Sequence, residues 1–222
     1  MVFVLDSSGS VTAKNFEKVK GFVKDFLKDA DIDNDAVRVG VNVYSSLSTV
    51  SFNLNTYSTK TDVFNAIDAV PFKGQGTRTG LALEKMKYEM FTAANGDRDG
   101  VGNVAIVIAD GESSDSPIPK ADAAREAGIY MYAIGVGLAN TEELEGIANK
   151  PSDEHVFSIE DFDALKDLGS KVLTAVCGKS LRMNPLFYYW NLPPMLVIAE
   201  FHCIICSQVQ KSNNYIFSLP VH

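Results

Sequence analysis

The chain has 222 residues, 46% of them hydrophobic and 22% charged, with 28 acids against 20 bases and a formal net charge of −8. That balance excludes wholesale disorder, a collagen-like fibre and a coiled coil, and three cysteines are too few for a disulfide-built scaffold. It also argues against nucleic acid and anionic membrane as partners, since no phosphate-neutralising surplus exists.

The average conceals a break after Gly178. Residues 1–178 hold all 16 glycines and 17 bases against 27 acids, a net charge of −10. Residues 179–222 carry Lys179, Arg182 and Lys211 against Glu200, together with four of the eight prolines and Trp190. The expected organisation is one folded domain over 1–178 and an apolar tail over 179–222, irregular or a non-native extension. No basic segment precedes the four apolar residues Val2 to Leu5, so no signal peptide is expected in this chain. The start inside an apolar run is expected to reflect a missing beginning, with a cytosolic protein as the alternative.

In chain order, Val2 to Leu5 reads as a strand buried on both faces. Phe16, Val19, Phe22, Val23, Phe26 and Leu27 recur at helical spacing. Val37 to Val43 alternates as a strand, and Val50, Phe52 and Leu54 follow as its antiparallel partner at the sheet edge. Val63 to Val70 predicts a helix closed by Pro71, and Leu83, Met86 and Met90 predict another. Val104 to Ala109 is a second apolar strand ending at Asp110. Ala121 to Ala127 predicts a helix with Gly128 as its C-terminal cap. Ile129 to Val136 is a third buried strand, Thr141 to Asn149 a short helix, and Val156-Phe157 a short strand. Ser158 and Asp161 form a candidate capping pair for a last helix with its face at Phe162, Leu165, Leu168, Val172 and Val176. Alternating strands and helices predict an α/β fold: a doubly wound, mostly parallel sheet with one antiparallel edge strand and helices on both faces.

In such sheets ligands bind beyond the carboxyl ends of the strands. Asp6-Ser7-Ser8-Gly9-Ser10 follows the first strand, and Asp110-Gly111-Glu112-Ser113-Ser114-Asp115 follows the second long apolar strand. Gly74 to Gly80 is a glycine-rich loop leading into a helix. Two carboxylates with several hydroxyls form a hard, oxygen-only donor set, suited to Mg²⁺ and unlike the His and Cys sites of zinc. Taken alone, Ser8 and Ser10 read equally well as turn and N-cap residues.

Asp6-x-Ser8-x-Ser10, then Gly76-Thr77-Arg78-Thr79-Gly80, then Ala109-Asp110-Gly111 resembles the metal-ion-dependent adhesion site of von Willebrand factor A domains. The resemblance extends over nearly all of residues 1–178, including Ala133-Ile134-Gly135-Val136-Gly137. It implies a cation, Mg²⁺ or else Mn²⁺ or Ca²⁺, held by Asp6, Ser8, Ser10, Thr77 and Asp110. Thr77 rather than Thr79 is implied by its place in the family's loop. The open coordination position is then filled by an acidic side chain of a matrix or cell-surface protein. Ser7, Arg78, Glu112 and Asp115 are candidates for the rim, with a solvated loop as the plainer account of the two acids.

The short segment Leu138 to His155 is similar to the matrix type of type VI collagen and matrilins rather than to inserted integrin domains. Those domains pair a cysteine before the first strand with one after the last helix. Cys177 matches the second, and the first has no counterpart here. The expected function is a non-enzymatic, cation-dependent adhesion module in the extracellular matrix. An intracellular assembly scaffold of the same fold is the alternative. A Mg²⁺-dependent phosphatase would need a second acid two residues after Asp6, where Ser8 stands. Two calcium-loop lookalikes, Asp29 to Asp35 and Asn95 to Gly100, lack the required later residues. In the tail, Leu186 to Val209 approaches membrane-span length but is interrupted by Asn191, Pro193, Pro194, Glu200 and His202, so a membrane span is not expected. Cys203 and Cys206 have pair spacing without the context of a redox or metal motif.

Overall fold

A computed structural model describes residues 1–180, with side chains through Val176. The expectations for the tail, and for the pairing of Cys177, Cys203 and Cys206, lie outside the described residues. Among the described residues no helix is long and apolar enough to cross a membrane.

Six strands form one sheet in the order β3-β2-β1-β4-β5-β6. They are β1 (Val2–Asp6), β2 (Gly40–Tyr44), β3 (Ser48–Phe52), β4 (Asn103–Ala109), β5 (Ile129–Val136) and β6 (Val156–Ile159). Only β3 is antiparallel, and it lies at the edge as expected. The helices are α1 (Thr12–Leu27), α2 (Lys60–Asp68), α3 (Thr79–Lys85), α4 (Pro117–Glu126), α5 (Thr141–Ile147), α6 (Ser152–His155) and α7 (Leu165–Ser180).

Strand alternation decides the layers. On β1, Phe3 and Leu5 face one core with Phe16, Val23 and Val172, while Val2 and Val4 face the other with Leu83, Met86 and Ala121. Both faces of β1 are therefore closed to water, which is why it reads as a continuous apolar run. After β1 the chain moves outward to β2 and β3, then returns to place β4 on the other side of β1. Strand order reverses there, so the carboxyl ends of the β1–β4 pair form the topological switch point of the sheet.

Several boundaries differ from the sequence expectation. The β2 strand starts at Gly40 rather than Val37; Val37 and Val39 are buried without pairing in the ladder. The helix that follows β4 begins a turn early, at Pro117, whose missing N–H costs nothing at the first helical position. The one-turn helix α6 was not expected. The α3 helix continues as a π-turn over Met86–Met90, which keeps Met86 and Met90 in the core. The Ser158–Asp161 capping pair does not form. Instead the Asp161 carboxylate accepts from the amides of Asp163 and Ala164, at 2.8 and 3.1 Å, and α7 starts at Leu165.

Candidate metal centre

Asp6 is the last residue of β1 and is 1% exposed. Its Oδ1 accepts the amide of Ser8 at 2.7 Å, an Asx-type turn that points the following hydroxyls back over the strand end. Ser8 Oγ lies 3.0 Å from Ser10 Oγ, and Ser10 Oγ donates to Asp110 Oδ1 at 2.8 Å. Asp110 directly follows β4, which pairs with β1. Residues a hundred positions apart thus form one continuous run of oxygens: Asp6, Ser8, Ser10, Asp110.

The glycine-rich loop is stitched to this turn by its backbone. Gly9 N–H donates to Gln75 O at 2.7 Å, and Gly74 N–H donates to Ser7 O at 2.9 Å. Gly74 adopts φ +69, a conformation that suits a residue without Cβ. Thr77 is held from two sides. Its carbonyl accepts from Ser114 N–H at 2.7 Å and Ser114 Oγ at 2.6 Å, while the next amide, Arg78 N–H, donates to Ser45 O at 2.9 Å. The three predicted motifs therefore meet at one strand end.

The four predicted rim residues are placed differently from one another. Ser7 is fully buried, and its Oγ accepts from Lys73 N–H at 2.7 Å, so it lies beneath the rim and fastens the loop from inside. Asp115 turns onto the start of α3: Oδ1 accepts Gly80 N–H at 2.7 Å and Oδ2 accepts Leu81 N–H at 2.9 Å. A Cβ at position 80 would meet Asp115 Oδ1 at 2.9 Å, which explains the glycine there. Arg78 and Glu112 are exposed. The Arg78 Nε lies 3.8 Å from Asp115 Oδ2.

Electrostatically the site is short of positive charge. Burial pushes the Asp6 carboxyl up to about 6, helped by the like charge of Asp110 and opposed by its hydrogen bonds from Ser8. Burial also raises the Asp110 carboxyl. Below them the Tyr44 hydroxyl is pushed well above its ordinary range, first by burial and then by Asp6. Asp6 Oδ2 is buried without a hydrogen-bond partner. A buried, unpaired carboxylate oxygen is costly unless something cationic meets it. The residues present fit a hard cation: two carboxylates and adjacent hydroxyls, with one oxygen already stripped of solvent. Among the described residues no group of three or more His, Cys, Asp or Glu side chains is placed to hold a metal.

One contributor escaped the sequence reading. Glu143, in the first turn of α5, accepts the Ser113 amide with both oxygens, at 3.0 and 3.2 Å, and burial raises its carboxyl. It braces the loop that carries Asp110. Its sequence signal, an acid three residues after the N-cap Asn140, is shared by ordinary helix starts.

Comparison with known proteins agrees with this geometry. The family model for the von Willebrand factor type A domain matches residues 1–171. The chain is 36% identical over 180 residues to the collagen alpha-4(VI) chain of Mus musculus, covering 80% of this chain and 8% of that protein. It is 39% identical over 183 residues to matrilin-4 of Homo sapiens, covering 81% and 29% respectively. It thus spans well under half the length of either relative. Among solved structures it resembles proximal thread matrix protein 1 of the mussel byssus, with a TM-score of 0.75 at 26% identity, covering 79% of this chain and 47% of that one. Another structure of that mussel protein, at a TM-score of 0.73, has zinc in its MIDAS motif. Zinc is a softer cation than the oxygen donors alone favour. The chain belongs to the von Willebrand factor type A domain family.

Proposed function

We propose that this domain is a divalent-cation-dependent protein-binding module of the extracellular matrix. The observation that carries the proposal is the buried Asp6 carboxylate, one oxygen unpartnered, joined through Ser8 and Ser10 to Asp110. Asp6, Ser8, Ser10, Thr77 and Asp110 would hold the cation, Mg²⁺ by donor hardness, with Mn²⁺ or Ca²⁺ as substitutes. The bound cation would supply a Lewis-acidic position for a Glu or Asp of the partner.

The chain's own residues do the rest. Asp6 and Asp110 give two negative charges, which balance a dication, while the hydroxyls add none, so a partner carboxylate would enter to fill the open coordination position rather than to complete the charge. Ser7 and Asp115 hold the loops from below, and Arg78 and Glu112 meet the partner at the rim. A binding module is favoured over an enzyme by Ser8, which stands where a phosphatase-like site needs its second acid. A matrix setting is supported by the names of the similar proteins, type VI collagen and a thread matrix protein.

Calorimetric titration of Mg²⁺ into wild type and Asp110→Ala tests the site. Wild type is expected to bind with one-to-one stoichiometry and the variant to lose the signal. Equal binding by both refutes the assignment.

A further inference from the structure

Two leucines stand out from an otherwise well-buried set: Leu138 is 95% exposed and Leu47 is 68% exposed. Singly, an exposed leucine needs no explanation. These two, however, flank the metal centre. Leu47 lies in the turn after β2 and Leu138 in the loop after β5, both at the carboxyl ends of their strands. The order β2-β1-β4-β5 puts Asp6 and Asp110 on the two strands between them. Asp6 pairs with Tyr44, three residues before Leu47. Ala109 pairs with Gly135, which sets Asp110 level with Val136, two residues before Leu138.

Both loops are held. Leu47 O accepts Ser45 N–H at 2.9 Å, and Ser46 Oγ accepts Gly76 N–H at 3.0 Å, which ties this turn to the Thr77 loop. Gly137 N–H donates to Ile159 O at 2.9 Å beside Leu138, and Glu143 ties the following helix to the Asp110 loop through Ser113. The leucines are therefore presented on backbone already fixed relative to the site, which lowers the ordering cost of binding.

We infer that Leu47, the metal centre and Leu138 form a three-point surface for an extended partner segment with one acid flanked, two residues away on each side, by apolar side chains. The inference rests on the metal-binding proposal above. The spacing supplies the pattern. Three strand intervals separate the β2 and β5 loops, about 14 Å at the usual interstrand distance. An extended chain advances about 3.3 Å per residue, so four residues cover about 13 Å. Alternate side chains of an extended segment share a face, so positions one, three and five point together. An acid at position three meets the cation, and apolar groups at one and five cover the leucines. The acids on the Asp110 loop and the first turn of α5, exposed Glu112 and half-buried Glu143, penalise further acids in the partner and so favour apolar flanks.

Selection of short random peptides on the immobilised domain, in Mg²⁺ against chelator, tests this, after Mg²⁺ binding has been measured by calorimetry. The expected survivors carry Glu or Asp with apolar residues two before and two after. Leu47→Ser and Leu138→Ser, both at exposed positions, should each weaken the recovered peptide about tenfold or more, with Mg²⁺ affinity unchanged. Survivors with an acid and no apolar flanks overturn the inference, as do serine variants with wild-type peptide affinity. So does recovery of no cation-dependent peptide by a domain that titrates Mg²⁺ normally. A domain that fails to titrate Mg²⁺ instead removes the metal reading beneath it, a result obtained before any selection.

Discussion

Asp6→Asn should stabilise the metal-free domain at neutral pH while abolishing its response to cations. Asp6 is 1% exposed and its carboxyl is raised from 3.8 to about 6. That gap corresponds to about 3 kcal/mol by which ionisation of Asp6 destabilises the folded, metal-free chain. Between the unfolded value of 3.8 and about 6 the native state binds the extra proton. The Asp6 contribution to stability therefore falls as pH rises through that window and stays low above it. Asparagine keeps the shape and removes the charge, but its amide must also find partners, so a net gain of about 2 kcal/mol is expected. For a domain of this size that is about 4–8 °C in midpoint. The assay is thermal and urea unfolding in chelator from pH 4 to 8, on wild type and variant. Their difference should grow between pH 4 and 6 and then level off. Mg²⁺ at about 100 times its dissociation constant should raise wild type by about 2.7 kcal/mol and leave the variant unmoved. A variant less stable than wild type in chelator, with a pH-independent difference, would refute the reasoning that an unrelieved buried charge defines this site.

Three further outcomes follow from other contacts. Asn42 is fully buried in β2, where Nδ2 donates to Ala82 O and Oδ1 accepts from Ser48 Oγ; Asn42→Ala should lower stability by about 2 kcal/mol in urea unfolding. Asp115→Ala uncaps Gly80 and Leu81 at the start of α3, so it should cost about 1–2 kcal/mol in chelator and also weaken Mg²⁺ binding by calorimetry, because the Thr77 loop leads into that helix. Thr12 carries φ +66, an unusual value for a β-branched residue, so Thr12→Asn should raise the thermal midpoint by the equivalent of about 0.5–1 kcal/mol.

The division of the chain between sequence and structure is physical. The β1, β4 and β5 strands were legible because burial on both faces forces unbroken apolar runs, and only a parallel sheet between helix layers buries strands so completely. The Asp6-x-Ser8-x-Ser10 turn and Asp110 were legible because strand ends at a chain reversal are fixed by connectivity, which the order of elements already states. Less legible was α6, whose single turn is too short for a periodic signal. The capping of α7 was misread because Ser158 is taken by β6, which leaves Asp161 to cap the turn alone.

What the sequence determined by itself is the fold class, the family and the oxygen character of the site, since these depend on residue type, period and order along the chain. Only the tertiary structure decided that Ser7 and Asp115 fasten the loops, that Glu143 braces the Asp110 loop, and that Leu47 and Leu138 stand on either side of the strand ends carrying Asp6 and Asp110. Those roles depend on which backbone amide each side chain meets, and on which strand lies next to which. Contacts made across 30 to 100 residues leave no local trace, because the same serine, acid or leucine would serve equally well on a solvated loop.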